Sequence, residues 1–282
     1  MKLDDKNQRW WDTAPAYILA YEDIELMNRD ELRSVRLMLE YYKPELILEK
    51  NNVASIIVVF GGTRLLPRDQ AEKNLQEAKA RLEASPENKS FARQVRIAEN
   101  LLKKSHFYDE AREFASIVSR SAQSPVLREY VICTGGGPGV MEAANRGAHD
   151  VNAVSIGLNI TLPLEQYPNP YITPEFCFRF HYFAIRKMHF MKRARALVIF
   201  PGGYGTLDEF FEAMTLIQTK VVKPIPVILF GRKFWDGIIN FEALVEEGTI
   251  DPEDIEIFKY AETAEEAWEL ITDHYKNNYK RP

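Results

Sequence analysis

Pro201-Gly202-Gly203-Tyr204-Gly205-Thr206-Leu207-Asp208-Glu209 follows the apolar run Ala196-Leu197-Val198-Ile199-Phe200 and leads into the helical segment from Phe210 to Thr219. A short, wholly apolar run that ends in glycines and opens a helix reads as a buried strand, a tight turn and a helix N-terminus. Such a turn aims free backbone N–H groups at whatever lies above it, and the helix dipole favours a negative charge there. Asp208 and Glu209 place two carboxylates in the same turn. The stretch therefore predicts a phosphate seat with an acid beside it.

The same pattern recurs outward from this point. Tyr130-Val131-Ile132-Cys133 leads to Gly135-Gly136-Gly137-Pro138-Gly139 and a helix to Ala148, and Ser55 to Phe60 ends at Gly61-Gly62-Thr63-Arg64. Further strands are read at Ala153 to Leu158, Pro226 to Phe230 and Ile255 to Lys259. Helices are read at Tyr108 to Ser121, Phe183 to Arg195, Leu207 to Gln218, Trp235 to Glu247 and Ala264 to Tyr275. Short apolar strands alternating with helices predict an α/β, Rossmann-like, doubly wound and mostly parallel sheet with helices on both faces. Ligands of such sheets bind beyond the carboxyl ends of the strands, where all three glycine loops fall.

Two additions surround this unit. Residues 1–50 read as a helical N-terminal extension, with Leu32, Val35 and Leu39 on one helix face. Residues 51–282 read as one domain. Inside it, residues 69–104 form a charged helical insertion broken near Ser85-Pro86-Glu87-Asn88, expected to be solvated.

Composition bounds the function. The chain has 282 residues, 46% apolar and 27% charged, with a net charge of −5. This is the profile of a globular protein without a chain-wide footprint for nucleic acid. Met1-Lys2-Leu3-Asp4-Asp5-Lys6 shows no signal-peptide core, and no apolar run is long enough to span a membrane, so a cytoplasmic location is expected. Cys133 and Cys177 form no C-x-x-C pair, and the five histidines show no metal spacing. Cys133, inside a core strand, is expected to be buried and inert.

The glycine loops exclude two common ligand classes. A G-x-G-x-x-G read from Gly135 meets Val140 at its last glycine, and the next strand ends at Gly157-Leu158-Asn159 with no acid to hold a ribose hydroxyl. Neither helix-opening loop ends in Gly-Lys-Ser/Thr, so neither is a P-loop. Two glycine loops at helix N-termini point to a nucleotide-like phosphate ligand; tight turns are the alternative. Glu209 carries its own alternative, because Thr206-x-x-Glu209 spells a capping box in which Thr206 caps the helix and Glu209 bonds back. Arg186 and Lys187 stand near a helix start, where the dipole disfavours cations, which hints at a nearby anion. Lys192 and Arg195 read as a solvated basic face.

With Arg186-Lys187 and the hallmark P-G-G-x-G-T-x-x-E from Pro201 to Glu209, the chain resembles the Lonely Guy (LOG) family of cytokinin-activating phosphoribohydrolases, often mislabelled lysine decarboxylases. Thr134 to Ala148, with Gly157-Leu158-Asn159-Ile160, Leu162-Pro163 and Glu165-Gln166, is similar to its longer bacterial branch. The similarity runs from about Ser55 to about Phe258. It implies a Rossmann-like fold and hydrolysis of the N-glycosidic bond of a nucleoside 5′-monophosphate, AMP or an N6-modified AMP, to free base and ribose 5-phosphate.

By match of motif, the resemblance gives catalytic roles to Arg186 and Glu209. Gly202, Gly203, Tyr204, Gly205 and Thr206 would hold the phosphate, with Lys187 and Asp208 beside them. Gly135, Gly136, Gly137 and Gly139 would line the same pocket. It implies no metal and no redox cofactor, and a homodimer or higher homo-oligomer. Three departures bear on specificity: Ala184 stands where plant-like members have histidine, Gly61-Gly62 where the first loop usually reads Gly-Ser, and the 69–104 insertion is longer than in short members. The rival reading is a related Rossmann-like protein that binds a nucleotide, molybdenum cofactor or single-stranded DNA without hydrolysis. The complete Thr206-x-x-Glu209 with Arg186 favours the enzyme, and the net acidity disfavours nucleic acid.

Overall fold

The structure is a computed structural model and describes residues 9, 11, 14–124, 126–163 and 167–278. The readings made at Met1 to Lys6 and at Glu165-Gln166 lie outside the described residues.

The chain opens with α1 (Ile24–Met27) and α2 (Arg33–Lys50), then enters the sheet at β1 (Ile56–Phe60). The insertion forms α3 (Arg68–Glu83) and α4 (Lys89–Lys103), followed by α5 (His106–Ala122) and β2 (Val131–Thr134). Next come α6 (Val140–Asp150), β3 (Ser155–Ile160), β4 (Cys177–Phe180) and α7 (Phe183–Lys192). The remainder is β5 (Ala194–Ile199), α8 (Tyr204–Gln218), β6 (Val227–Phe230), α9 (Arg232–Asp236), α10 (Phe241–Glu246), β7 (Phe258–Ala261) and α11 (Ala264–Asn278).

The seven strands form one parallel sheet in the order β4-β3-β2-β1-β5-β6-β7. The first four strands build outward from β1 on one side, and the chain then returns to its other side with β5. The strand order therefore reverses between β1 and β5, which is where an open α/β sheet leaves a crevice. Alternation along β1 divides the core cleanly. Ile56, Val58 and Phe60 face a cluster with Phe190 and Phe210 of α7 and α8, while Ile57 and Val59 face Phe114, Val118 and Ala144 of α5 and α6. A strand buried on both faces must be apolar throughout, which is why β1 and β5 were legible as continuous runs.

Several expectations need correction. β4 was not foreseen; it is an edge strand whose Phe178 and Phe180 are buried while Arg179 is exposed, so it alternates instead of forming an apolar run. The helix read over Trp235 to Glu247 is two, because Asn240 accepts from the Ala243 amide and starts α10 afresh. The strand read at Ile255 to Lys259 lies later, at β7. Pro252–Ile257 is a 3-10 turn in which Asp254 accepts from the Asp251 amide.

The apolar face of α2 also turns the other way. Val35 and Leu39 are exposed, together with Met38, Tyr42 and Leu46, whereas Pro44, Glu45 and Leu48 are buried. The side of α2 that meets α7 does so through carboxylates, leaving the apolar side outward. In the insertion, α3 buries only Ala71, α4 buries Val95 and Ala98, and Asn88 caps α4.

Candidate active site

Three loops at the carboxyl ends of β1, β2 and β5 are tied together by their own backbones. The Gly62 amide donates to Pro201 O at 2.9 Å, and Gly62 O accepts from the Val140 amide at 3.3 Å. This packing explains Gly139. Its φ is +73°, and a Cβ there would stand 2.4 Å from Gly62 O. The β2 loop is held from a distance as well: buried Asn169 donates from Nδ2 to Gly136 O, Gly137 O and Asn145 Oδ1 at 2.9–3.2 Å. Thr134 Oγ1 accepts from the Gly136 amide at 3.0 Å.

Above these loops lies a cleft of about 320 Å³, lined by Phe60, Gly61, Gly62, Thr63, Gly135, Met141, Arg186, Gly203, Tyr204, Gly205, Thr206 and Glu209. One end is the start of α8. Gly203 is its N-cap, and the first bonds of the helix run from the Thr206 and Leu207 amides to Gly203 O at 3.0 Å. The amides of Tyr204 and Gly205 precede those bonds and belong to the set that a helix leaves for another acceptor.

The capping box read at Thr206 does not form. The helix starts at Tyr204, because Gly203 in extended conformation turns the chain three residues earlier, and no side chain caps it. Thr206 is the third helical residue, with its hydroxyl packed against Gly202; a Cβ on Gly202 would meet that oxygen at 2.1 Å. Glu209 is thereby released from the structural use its sequence position offered.

Glu209 is instead a buried acid among cations. It is 6% exposed. Its Oε1 lies 3.8 Å from Arg186 Nη2, and its Oε2 lies 3.3 Å from Lys187 Nζ. Burial raises its pKa above the ordinary carboxylate value, and the two cations only partly offset this. Burial also lowers the pKa of Arg186. The Arg186 guanidinium lies over the rings of Phe183 and Phe190, 5.4 and 5.3 Å from their centroids. Its Nε is buried and finds no acceptor among the described residues.

Lys187 is held apart from the cleft. Its ammonium contacts Asp208 at 2.8 Å and Glu212 at 2.8 Å besides Glu209. Burial opposes its charge, but the three carboxylates outweigh that and raise its pKa. The cations near the start of α7 thus answer to carboxylates of the protein itself. Lys192, read as solvated, bonds Glu45 and Tyr41.

Of the residues singled out from sequence, Arg186, Glu209, Gly135, Gly203, Tyr204, Gly205 and Thr206 line the cleft. Lys187, Asp208, Gly202, Gly136, Gly137 and Gly139 do not; they support the residues that do. Gly61, Gly62, Thr63 and Met141 also line the cleft, beyond the site residues expected from sequence. Asn169 carried no sequence signal beyond its place in Pro168-Asn169-Pro170, a turn-forming tract. Among the described residues, no group of three His, Cys, Asp or Glu side chains stands close enough to hold a metal ion.

A family model described as "Possible lysine decarboxylase" matches residues 141–271, a span that contains Arg186 and Glu209. Cytokinin riboside 5′-monophosphate phosphoribohydrolase LOG3 of Arabidopsis thaliana is 30% identical over 177 residues, 61% of this chain and 77% of that protein. The chain belongs to the LOG family. Another relative of this LOG-family chain is the pyrimidine/purine nucleotide 5′-monophosphate nucleosidase of Escherichia coli K12. It is 33% identical over 122 residues, 38% of this chain and 25% of that enzyme. Among solved structures, the molybdenum cofactor carrier protein MCP of Chlamydomonas reinhardtii covers 80% of this chain and 99% of its own, at 17% identity and a TM-score of 0.44. No helix among the described residues of this LOG-family protein is long and apolar enough to cross a membrane.

Proposed function

We propose that this protein hydrolyses the N-glycosidic bond of a nucleoside 5′-monophosphate, releasing the free base and ribose 5-phosphate. The observation that carries the reading is Glu209: a buried carboxylate in the cleft, paired with Arg186, with no part in capping its own helix. A buried, partly compensated acid at the mouth of a glycine-built anion seat is an arrangement for chemistry.

The 5′-phosphate sits on the amides that open α8, and its binding energy is available to drive the step at C1′. The bond from C1′ to the base nitrogen breaks, its electron pair leaves with the base, and C1′ gains oxocarbenium character. Ionised Glu209 stabilises that charge, orients the ribose hydroxyls or activates the attacking water, as carboxylates do in glycosidases. Water adds its oxygen to C1′, and one of its protons balances the departing base. Arg186, whose Nε lacks an acceptor among the described residues, bonds the ribose or the leaving base.

Gly203 and Gly205 support the same reading. Neither has a positive φ, and a Cβ at either would meet nothing within 4 Å. The fold does not demand glycine there, so close approach of a ligand to the backbone supplies the reason. Lys187 weighs against a decarboxylase with a Schiff-base lysine, which needs a lowered pKa where Lys187 has a raised one.

We further propose AMP and N6-substituted AMP as substrates, a choice supported by the names of the relatives above, and a cytoplasmic setting. A homo-oligomer is supported by exposed apolar side chains on α2 and by Tyr204 and Phe211 on α8. Light scattering on the purified protein tests it: a monomeric mass overturns the oligomer. Incubation with a panel of nucleoside monophosphates tests the reaction; release of base from none of them overturns it.

A further inference from the structure

The N-terminal helix α2 grips both ends of α7, the helix that carries Arg186 and Lys187. At the start of α7, Glu40 accepts from the His181 amide at 2.7 Å and the Tyr182 amide at 3.1 Å. Tyr182 is the N-cap of α7, and no side chain of its own caps the helix. Arg36 adds a bond from Nε to Tyr182 Oη at 3.3 Å. At the far end, buried Glu45 pairs with Lys192 at 2.8 Å and Arg193 at 2.9 Å and lies 3.4 Å from His189 Nδ1. Two carboxylates five positions apart on α2 thus hold the two ends of α7.

We propose that Glu40, seconded by Glu45, is a positioning residue for Arg186, acting from the N-terminal extension through the backbone of α7. The reason lies in how loosely the guanidinium itself is held. Its contacts are the two rings of its own helix and a carboxylate at 3.8 Å, and among the described residues the guanidinium donates no hydrogen bond. Its place in the cleft is therefore inherited from α7. That helix buries only His189 and Phe190, both in its second half. Its first turn, which bears Arg186, follows directly on the two amides, His181 and Tyr182, that Glu40 holds. A carboxylate at that end also suits the helix dipole and offsets two cations placed against it.

The kinetic part of this inference rests on the hydrolase reading; the structural part does not. Hydrogen exchange over residues 181–188 and steady-state hydrolysis are compared in the wild type, Glu40→Ala, Glu40→Gln and Glu49→Ala, the last an exposed position on α2. Glu40→Ala is expected to speed exchange there roughly fivefold, the loss of the bonds that hold the His181 and Tyr182 amides. It is also expected to lower kcat on the order of tenfold with little change in KM, as misplacement of a catalytic group does. Glu40→Gln, which keeps one acceptor oxygen, falls between, and Glu49→Ala matches the wild type. In an Arg186→Ala background, assayed at high enzyme concentration, Glu40→Ala costs nothing further. Unchanged exchange in Glu40→Ala, or the same kinetic loss with and without Arg186, overturns the proposal. A wild type that releases no base overturns the hydrolase reading instead, and exchange still decides whether Glu40 holds α7.

Discussion

Glu209 Oε1 stands 3.8 Å from Arg186 Nη2, and each side chain reaches that point from a different helix on the same side of the sheet. Arg186 comes from the helix before β5 and Glu209 from the helix after it, so a single strand and its two connections set their separation. The distance is long for a salt bridge between groups this buried. It leaves space between the pair.

Glycine substitutions separate fold from ligand. Gly139→Ala forces a side chain into Gly62 O at a positive φ, so loss of thermal stability is expected, on the order of 1–3 kcal/mol. Gly205→Ala meets open space inside a helix and is expected to keep or slightly raise Tm, by up to about 1 kcal/mol in stability. It is nevertheless expected to raise KM for a nucleoside monophosphate. Calorimetry and kinetics on the two variants check this; equal behaviour in both contradicts it.

The pH dependence of hydrolysis follows from Glu209. Burial raises its pKa in the folded protein, so protonation begins above the ordinary carboxylate value as pH falls. If the ionised form acts, the acid limb of kcat/KM lies above pH ~4.3, the unperturbed glutamate value. Lys187→Met removes a favourable charge 3.3 Å from Glu209 and moves that limb to higher pH. It also leaves Asp208, Glu209 and Glu212 without their shared cation, at a cost of about 1–3 kcal/mol near neutral pH. A pH–rate profile of both proteins measures the shift; an acid limb that stays in place in Lys187→Met contradicts it.

Stability runs opposite to activity at Glu209. A carboxyl whose pKa is raised on folding favours the folded state at pH below its unfolded value, and that contribution is lost as pH rises through the folded pKa. At pH 7 the ionised Glu209 is therefore a destabilising group. Glu209→Gln is expected to have a Tm at pH 7 no lower than the wild type, because no helix cap is lost and Lys187 keeps two other carboxylates. A Tm several degrees lower, seen by calorimetry, would show a structural role that the geometry does not contain.

The parallel sheet and its glycine loops were legible because strands buried on both faces are apolar throughout and end where glycine is required. Arg186 and Glu209 were legible as a motif, but the role of Glu209 was not. Whether Thr206 caps the helix depends on where Gly203 turns the chain, and Gly203, Tyr204 and Gly205 do not say. Edge strand β4 stayed hidden because Arg179 interrupts it. Asn169 and Glu40 act on backbone groups far away in sequence, across 33 and 141 positions, and a polar residue that bonds a distant amide reads locally as solvent-facing. The apolar face of α2 was visible, but not the fact that it points outward.

The central claim is that ionised Glu209 serves cleavage of a nucleoside 5′-monophosphate at C1′. Chromatography of AMP and an N6-substituted AMP incubated with the wild type and with Glu209→Gln tests it directly. Free base and ribose 5-phosphate in equal amounts from the wild type, with a rate at least a hundredfold lower from a folded Glu209→Gln, is the predicted result, on the order of general acid–base contributions of about 10²–10⁴. No base from the wild type, or an undiminished rate from Glu209→Gln, contradicts it.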